Sequence, residues 1–193
     1  MASEDEARAE GGGDGEWMRR VRAGDEAALG VLMERWELPV KRVIARMVLN
    51  AGEAEELAQE TFVRVWQQRE KFREGAEFRP WVFAIAVNLA RNRLRWWRRR
   101  PEVALEEWNE TAEIGDRKAE SGSRAAERKE RAAAVRAAVA GLPVKLREAL
   151  VLFEYERMSH AEIAAVVGAT PKAVETRVAR ARERLRGELK GWV

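Results

Sequence analysis

Hydrophobic residues recur at the three- and four-residue spacing of helices over most of the chain, and glycines and prolines separate the segments. The pattern predicts helices over residues 16–23, over 25–48 with a bend or break at Pro39, over 53–68, and over 80–100 with Pro80 as the first residue. A second series is predicted over residues 125–140, 143–157, 159–167 and 171–190. We therefore expect an all-α fold of two small domains, an N-terminal helical bundle and a C-terminal four-helix domain.

Two stretches lack this pattern. Residues 101–124 hold few apolar side chains, the tripeptide Ser121-Gly122-Ser123 and an excess of acids, which predicts a flexible acidic linker. Residues 1–15 are acidic and contain three consecutive glycines, which predicts a disordered tail. The domains are then residues 16–100 and 125–193.

The end of the chain has the pattern of a helix-turn-helix. Ser159 and Glu162 fit a capping box, Gly168 fits a left-handed helix stop, and Thr170-Pro171 fits the start of another helix. The outer face of that second helix is basic, and its first residues are candidates for contacts with base edges, the later arginines for phosphates. An ordinary solvated charged helix is the alternative. The candidates are Lys172, Ala173, Thr176, Arg177, Arg180 and Arg184.

Two surfaces of the N-terminal unit also suggest binding. Helix 80–100 is apolar around most of its circumference, but Arg91, Arg95 and Arg98 form a strip with Asn88 at its edge. The loop before it, residues 71–78, mixes aromatic, basic and flexible residues that can enclose an unpaired base, although a core position is the preferred interpretation for any single aromatic. The outward face of helix 53–68 suits either protein docking or, equally, an ordinary solvent-exposed surface. It consists of Glu56, Gln59, Glu60, Val63 and Gln67, with Trp66 at its boundary.

Composition narrows the function classes. The chain has 36 Lys and Arg against 33 Asp and Glu, a formal net charge of +3 that hides strong segregation along the sequence. It has no cysteine and one histidine, which excludes thiolate metal sites and cysteine nucleophiles and leaves little basis for imidazole chemistry. No apolar run approaches the roughly 20 residues of a membrane span. We expect a cytoplasmic protein that is not an enzyme, with no metal, no cofactor, no small-molecule substrate and no membrane insertion.

Several strings together resemble the extracytoplasmic-function group of bacterial RNA polymerase sigma factors. They are residues 55–66 (EELAQETFVRVW), 78–88 (FRPWVFAIAVN), 142–143 (LP), 162–164 (EIA) and 174–182 (VETRVARAR), and they follow one another in the expected order. The match covers nearly all of residues 16–189.

The resemblance implies a role for each surface. Helix 53–68 would dock on the β′ clamp helices of core RNA polymerase, and the C-terminal domain would lie on the β flap. The second helix of the helix-turn-helix would read the minus-thirty-five element of promoter DNA. An anti-sigma factor is a further implied partner. The residues implied in minus-ten recognition and strand opening are Lys71, Phe72, Arg73, Arg79, Asn88, Arg91, Arg95 and Arg98.

The sequence also departs from the family pattern. At the start of the recognition helix, Lys172 and Glu175 replace the residues that the family commonly has there, which changes the expected base-reading pattern but not the element. The overall prediction is an alternative sigma factor that directs core polymerase to promoters. The alternative is a conventional helix-turn-helix repressor or activator, which would need a dimer interface or a ligand pocket in the first unit.

Overall fold

The computed structural model describes residues 13–100 and 123–190, with side chains in the second range described from residue 130. Most of the predicted acidic tail and linker therefore lies outside the described residues. The regular elements within these ranges are all helices and none is a β-strand, as the sequence predicted. The helices are α1 Asp14–Arg22, α2 Glu26–Val48, α3 Ala51–Gln67, α4 Phe78–Arg99, α5 Ser123–Ala140, α6 Val144–Glu154, α7 His160–Val167 and α8 Pro171–Glu188.

Helices α1 to α4 form the N-terminal unit, and local capping sets the α2–α3 hairpin. The Asp25 carboxylate accepts from the amide of Ala28 at 3.1 Å to begin α2, and Leu49 ends it with a left-handed φ of 62°. The Asn50 side chain then accepts from the Glu53 amide at 3.0 Å to begin α3. These caps allow a two-residue connection, so α2 and α3 pack side by side as an antiparallel pair.

The predicted break at Pro39 is absent, and the helix predicted to begin at Pro80 begins earlier. Helix α2 runs through Pro39 without a break, because Val40, Val43 and Ile44 are fully buried on the turn that follows and hold it in place. Helix α4 begins at Phe78, two residues before Pro80. The first-turn amides of a helix have no intrahelical partner, so a proline at the third position removes no hydrogen bond.

The predicted helix-turn-helix is present in the C-terminal unit. Ser159 and Glu162 form both bonds of the capping box, at 2.7 and 3.2 Å. Gly168 ends α7 with φ of 65°, and Thr170 Oγ1 accepts from the Ala173 amide at 3.2 Å to begin α8. Local sequence therefore determines how α8 is held on α7.

The two units are docked against each other. Helix α4 packs on α7, and α2 packs on α6. The buried apolar cluster that contains Phe62 and Phe83 in the first unit continues through Leu152 and Ile163 to Val174 in the second. The sequence indicated two units but not this contact.

Candidate nucleic-acid and protein interfaces

The outward side of α3 presents the six residues predicted for protein docking. Glu56, Gln59 and Gln67 are exposed, and Val63 is an apolar side chain left 52% exposed. Glu60 forms an ion pair with Arg64, with Arg64 Nη2 2.8 Å from Glu60 Oε1. Trp66 is half-buried, with the Arg69 guanidinium 4.4 Å from its ring centroid. The face therefore combines carboxylates and amides with two accessible apolar groups.

Leu38 extends this face. The sequence did not indicate it as a docking residue, because it directly precedes Pro39, where a bend or break of the helix was expected. It is 52% exposed, like Val63. Lys41 of α2 pairs with Glu55 of α3, which marks residues that lie opposite each other on the antiparallel helices. One turn from that pair on each helix lie Leu38 and Gln59, so Leu38 stands beside the docking residues of α3.

The basic strip on α4 is partly exposed to solvent and partly covered by the second unit. Asn88, Arg95 and Arg98 are exposed, and Arg95 donates to Asn92 Oδ1 at 3.2 Å. Arg91 instead points into the contact with the second unit, where its guanidinium side chain is 23% exposed. The strip predicted from periodicity is thus only partly open to a ligand.

The loop before α4 also separates into two groups. Lys71 and Arg73 are exposed. Phe72 is 3% exposed, with its ring edge-on to Trp81 at 5.2 Å and tilted to Phe78 at 6.3 Å. The predicted role of Phe72 in stacking an opened base is not available in this arrangement, because three aromatic rings close the end of the bundle together.

Arg79, at the start of α4, crosses to the C-terminal unit. Its guanidinium donates to the carbonyl of Glu156 and lies 3.7 Å from the Glu162 carboxylate. The Glu162 pKa is lowered, first by the hydrogen bond with the Ser159 side chain and then by the Ser159 amide, with a smaller contribution from Arg79. The pKa of the Glu156 carboxyl is raised because burial disfavours its charge more than the nearby Arg79, Arg46 and Arg42 favour it.

Most of the predicted residues of α8 are accessible. Lys172, Thr176, Arg180 and Arg184 are exposed, and Ala173 is partly exposed. Lys172 pairs with Glu175 at 2.9 Å, and this hydrogen bond is the main reason that the Glu175 pKa is lowered. The side of α8 that faces away from the protein therefore offers cations and small side chains.

Arg177 differs from its neighbours on α8. Its side chain is 22% exposed, and Nη1 lies 3.5 Å from the Glu148 carboxylate. Glu148 of α6 is fully buried and also accepts from Arg91, with Nε at 2.5 Å and Nη2 at 2.7 Å. Sequence reasoning missed Glu148, although one signal was present, since Arg147 and Glu148 directly precede the apolar run from Ala149 to Phe153.

Other kinds of site receive no support within the described ranges. No group of three or more acidic or histidine side chains there could hold a metal ion. None of the helices there is both long and apolar enough to cross a membrane.

Family comparisons match both units of the chain. The sequence model of Sigma-70 region 2 matches residues 32–100, and that of Sigma-70, region 4 matches residues 132–185. The RNA polymerase sigma-H factor of Pseudomonas aeruginosa is 35% identical over 175 residues, which cover 88% of this chain and 90% of that protein. The ECF RNA polymerase sigma-E factor of Escherichia coli K12 is 29% identical over 86% of this chain and 88% of its own length.

Solved structures resemble the whole arrangement. CnrH in complex with the cytosolic domain of CnrY aligns with a TM-score of 0.69 at 26% identity, and the alignment covers 93% of this chain and 99% of that one. The sigma factor RpoE in complex with the anti-sigma factor NepR from Bartonella quintana aligns with a TM-score of 0.67 at 22% identity, over 83% and 96% of the two chains. The second likeness concerns the fold alone.

Proposed function

Because this chain belongs to the sigma-70 family of RNA polymerase sigma factors, in its extracytoplasmic-function group, we propose that its three exposed surfaces divide the work of promoter-specific initiation. The chain is an alternative sigma factor, a transcription initiation factor that binds core RNA polymerase and directs it to promoters. A conventional helix-turn-helix repressor or activator is not favoured, since region 2 accounts for the first unit. We further propose that it has no catalysis of its own and acts in the cytoplasm.

The proposed polymerase-docking face is the exposed side of α3, with the β′ clamp helices as its partner. The observation that carries it is Val63, an apolar side chain left 52% exposed among Glu56, Gln59 and Gln67. An exposed aliphatic group with polar neighbours matches the composition of a protein interface, which has an apolar centre and a hydrogen-bonding rim. The C-terminal unit would contact the β flap.

The proposed minus-ten surface is the accessible part of the α4 strip with the loop before it. Lys71, Arg73, Asn88, Arg95 and Arg98 are exposed and supply cations and one amide, which suit the backbone of an opened strand and a base edge. Arg79 and Arg91 belong to the same surface but are engaged by the second unit in this arrangement. We propose that they join the surface when the units separate.

The proposed minus-thirty-five surface is the outward side of α8. Its first residues, Lys172, Ala173 and Thr176, stand where a recognition helix meets base edges, while Arg180 and Arg184 stand where phosphates run. Two modest DNA contacts carried on one polymerase gain from effective concentration. The free chain is therefore expected to bind duplex promoter weakly, and core polymerase to make that binding specific.

We also propose an anti-sigma factor as a partner. The supporting observation is that RpoE, which shares the fold, is bound to the anti-sigma factor NepR in its solved structure. Capture of such a protein by this chain, and its displacement by core polymerase, would support the assignment.

The experiment that tests the function is in vitro transcription with core polymerase on a promoter library, combined with a measurement of core binding. Val63→Asp should fold normally because the side chain is on the surface, yet weaken core binding at least about 30-fold, as loss of a central interface residue does. Val63→Ile, which keeps the apolar group, is the matched control and should bind as the wild type does. If Val63→Asp bound core polymerase with wild-type affinity, the exposed side of α3 would not be the docking face. Absence of any transcript with the wild-type chain would contradict the function.

A further inference from the structure

A cleft between the two units is lined by described residues that the proposed function leaves unassigned. It has a volume of about 540 Å³, which lies within the roughly 300–1,000 Å³ of small-molecule sites in proteins. Arg46 and Leu49 line it from the C-terminal end of α2, and Tyr155 lines it from the end of α6. Val135 and Val139 line it from α5. Both units therefore contribute to one concave surface of a size that suits a small ligand.

The apolar part of the cleft is mainly aliphatic. Val135 and Val139 are one turn apart on α5, and Leu49 joins them from the other unit. Leu49 has a left-handed φ of 62°, which strains a leucine but not a glycine, so the chain keeps an aliphatic side chain in the cleft despite backbone strain. Residues held in such conformations cluster at ligand sites. Tyr155 adds a ring, and that residue is 48% exposed. An apolar chain in the cleft would cover these side chains.

The polar groups of the cleft select the charge of a ligand. Among its described lining residues, the polar side chains are the guanidiniums of Arg46, Arg131 and Arg136 and the phenol of Tyr155, and none is acidic. Arg46 Nη1 donates to the carbonyl of Arg42 at 3.1 Å, which fixes the direction of this guanidinium. Arg136 is exposed, so its guanidinium can reach a ligand. Guanidinium groups bind carboxylates and phosphates through paired hydrogen bonds, so the cleft favours an anion.

A flat base suits the cleft less well than an aliphatic chain does. The Arg46 guanidinium lies 4.0 Å from the centroid of the Tyr155 ring and covers one of its faces, and the rest of the apolar lining is aliphatic. Side chains that read a base edge in both directions carry amides, carboxylates or hydroxyls. The Tyr155 phenol is the one such group among the described side chains of the lining. The lining therefore matches an anion with an aliphatic chain better than it matches a nucleotide.

We propose that the cleft is a binding site for single-chain aliphatic anions. The chain lies against Leu49, Val135 and Val139, and the guanidiniums of the cleft, Arg46 and Arg136 among them, hold a carboxylate or phosphate head group. Because both units line the cleft, the ligand binds the folded, docked chain and raises its free energy of unfolding as the ligand concentration rises. The site is independent of the residues that the proposed function assigns to polymerase and DNA.

Isothermal titration calorimetry of the full chain tests the site. Decanoate and decyl phosphate, each kept below its micelle concentration, should both bind and should raise the midpoint of thermal unfolding. Comparison of the two shows whether a carboxylate or a phosphate head group is preferred. Decyltrimethylammonium has the same chain and the opposite charge, and guanosine monophosphate has a phosphate on a flat base, so neither should bind. An acidic amphipathic helical peptide, the other kind of occupant for an apolar cleft, should not bind either.

Variants of the chain locate the site. Arg136→Gln should weaken the binding of both decyl anions at least about tenfold, as loss of a hydrogen bond from a charged group does. Leu49→Gly relieves the left-handed strain and should weaken binding about tenfold, because the aliphatic chain of the ligand loses apolar contact. Arg186→Gln, at an exposed position of α8 outside the cleft, is the matched control and should bind the anions as the wild type does.

Each outcome decides the proposal. Failure of both decyl anions to bind the wild-type chain at up to about 1 mM overturns it. Wild-type affinity in folded Arg136→Gln or in folded Leu49→Gly overturns it as well, since the anions would then bind elsewhere. Equal binding of the decyl cation, or tighter binding of guanosine monophosphate or of the peptide, overturns the assigned class of ligand. If Leu49→Gly fails to fold by circular dichroism, the affinity of Arg136→Gln decides.

Discussion

Arg147 offers a stringent test of the packing between the helices. The residue is 7% exposed, and its guanidinium donates to three backbone carbonyls, those of Met47 at 2.5 Å, Leu142 at 3.3 Å and Ala140. Ala140 ends α5 and Leu142 lies in the connection to α6, whereas Met47 belongs to α2 in the other unit. Burial lowers the Arg147 pKa, because removing the guanidinium from water disfavours its charged form. One side chain therefore joins a helix connection to the neighbouring unit.

Arg147→Met keeps most of the volume and removes the donors. Each hydrogen bond from a charged group contributes about 1.5–3 kcal/mol, but burying a guanidinium costs several kcal/mol, so the two effects partly cancel. Because three carbonyls lose their donor at once, we expect the free energy of unfolding to fall by about 2–4 kcal/mol. The midpoint of thermal unfolding should then fall by about 5–15 °C for a chain of this length.

The assay is thermal and denaturant unfolding followed by circular dichroism. Lys145→Met, at an exposed position on the same helix, is the matched control and should change the unfolding free energy by no more than about 0.5 kcal/mol. If Arg147→Met were as stable as this control, the solvation cost of the guanidinium would equal its hydrogen bonds, and our account of the connection would be refuted.

Three further changes have distinct readouts. Ser159→Ala should lower the free energy of unfolding by about 1 kcal/mol near neutral pH. Since the Glu162 pKa is lowered in the folded chain, the deficit should shrink as the pH falls from 4.5 through that lowered value, as denaturant titrations at several pH values would show. Glu156→Gln should stabilise the chain at neutral pH by less than about 1 kcal/mol, because a carboxyl with a raised pKa is costly when charged. Its advantage should vanish as the pH falls through the raised pKa, where the wild-type carboxyl takes up a proton, and a constant advantage would contradict the assignment. Substitutions at Lys172 or Thr176 should change the preferred upstream promoter sequence by about 1–3 kcal/mol per specific contact, which selection from a promoter library measures, whereas a uniform loss across sequences would indicate phosphate contacts only.

Features set by neighbouring residues could be predicted from the sequence. The capping box of Ser159 and Glu162, the left-handed stop at Gly168 and the cap at Thr170 each act over three or four residues, and all three are present in the structure. The amphipathic face of α3 has the same local origin, which is why its six predicted residues lie on one accessible side.

Features set by distant residues could not be predicted. Arg91 and Glu148 are 57 positions apart, and helical periodicity describes only the helix on which a residue lies. The same limit applies to Phe72, whose burial depends on Phe78 and Trp81 meeting it at the end of the bundle. Helix α2 continues through Pro39 because the surrounding core is strong enough to override a local preference.

The apolar cluster shared by the two units has a consequence for the lifetime of the factor in a cell. Separation of the units uncovers apolar surface where α4 packs on α7 and α2 packs on α6, and exposed apolar patches attract chaperones and proteases. An open molecule is protected only while another macromolecule covers that surface. We therefore expect turnover of the factor to follow the amount that is open and unbound, so that its abundance adjusts to the supply of partners without any change in its synthesis.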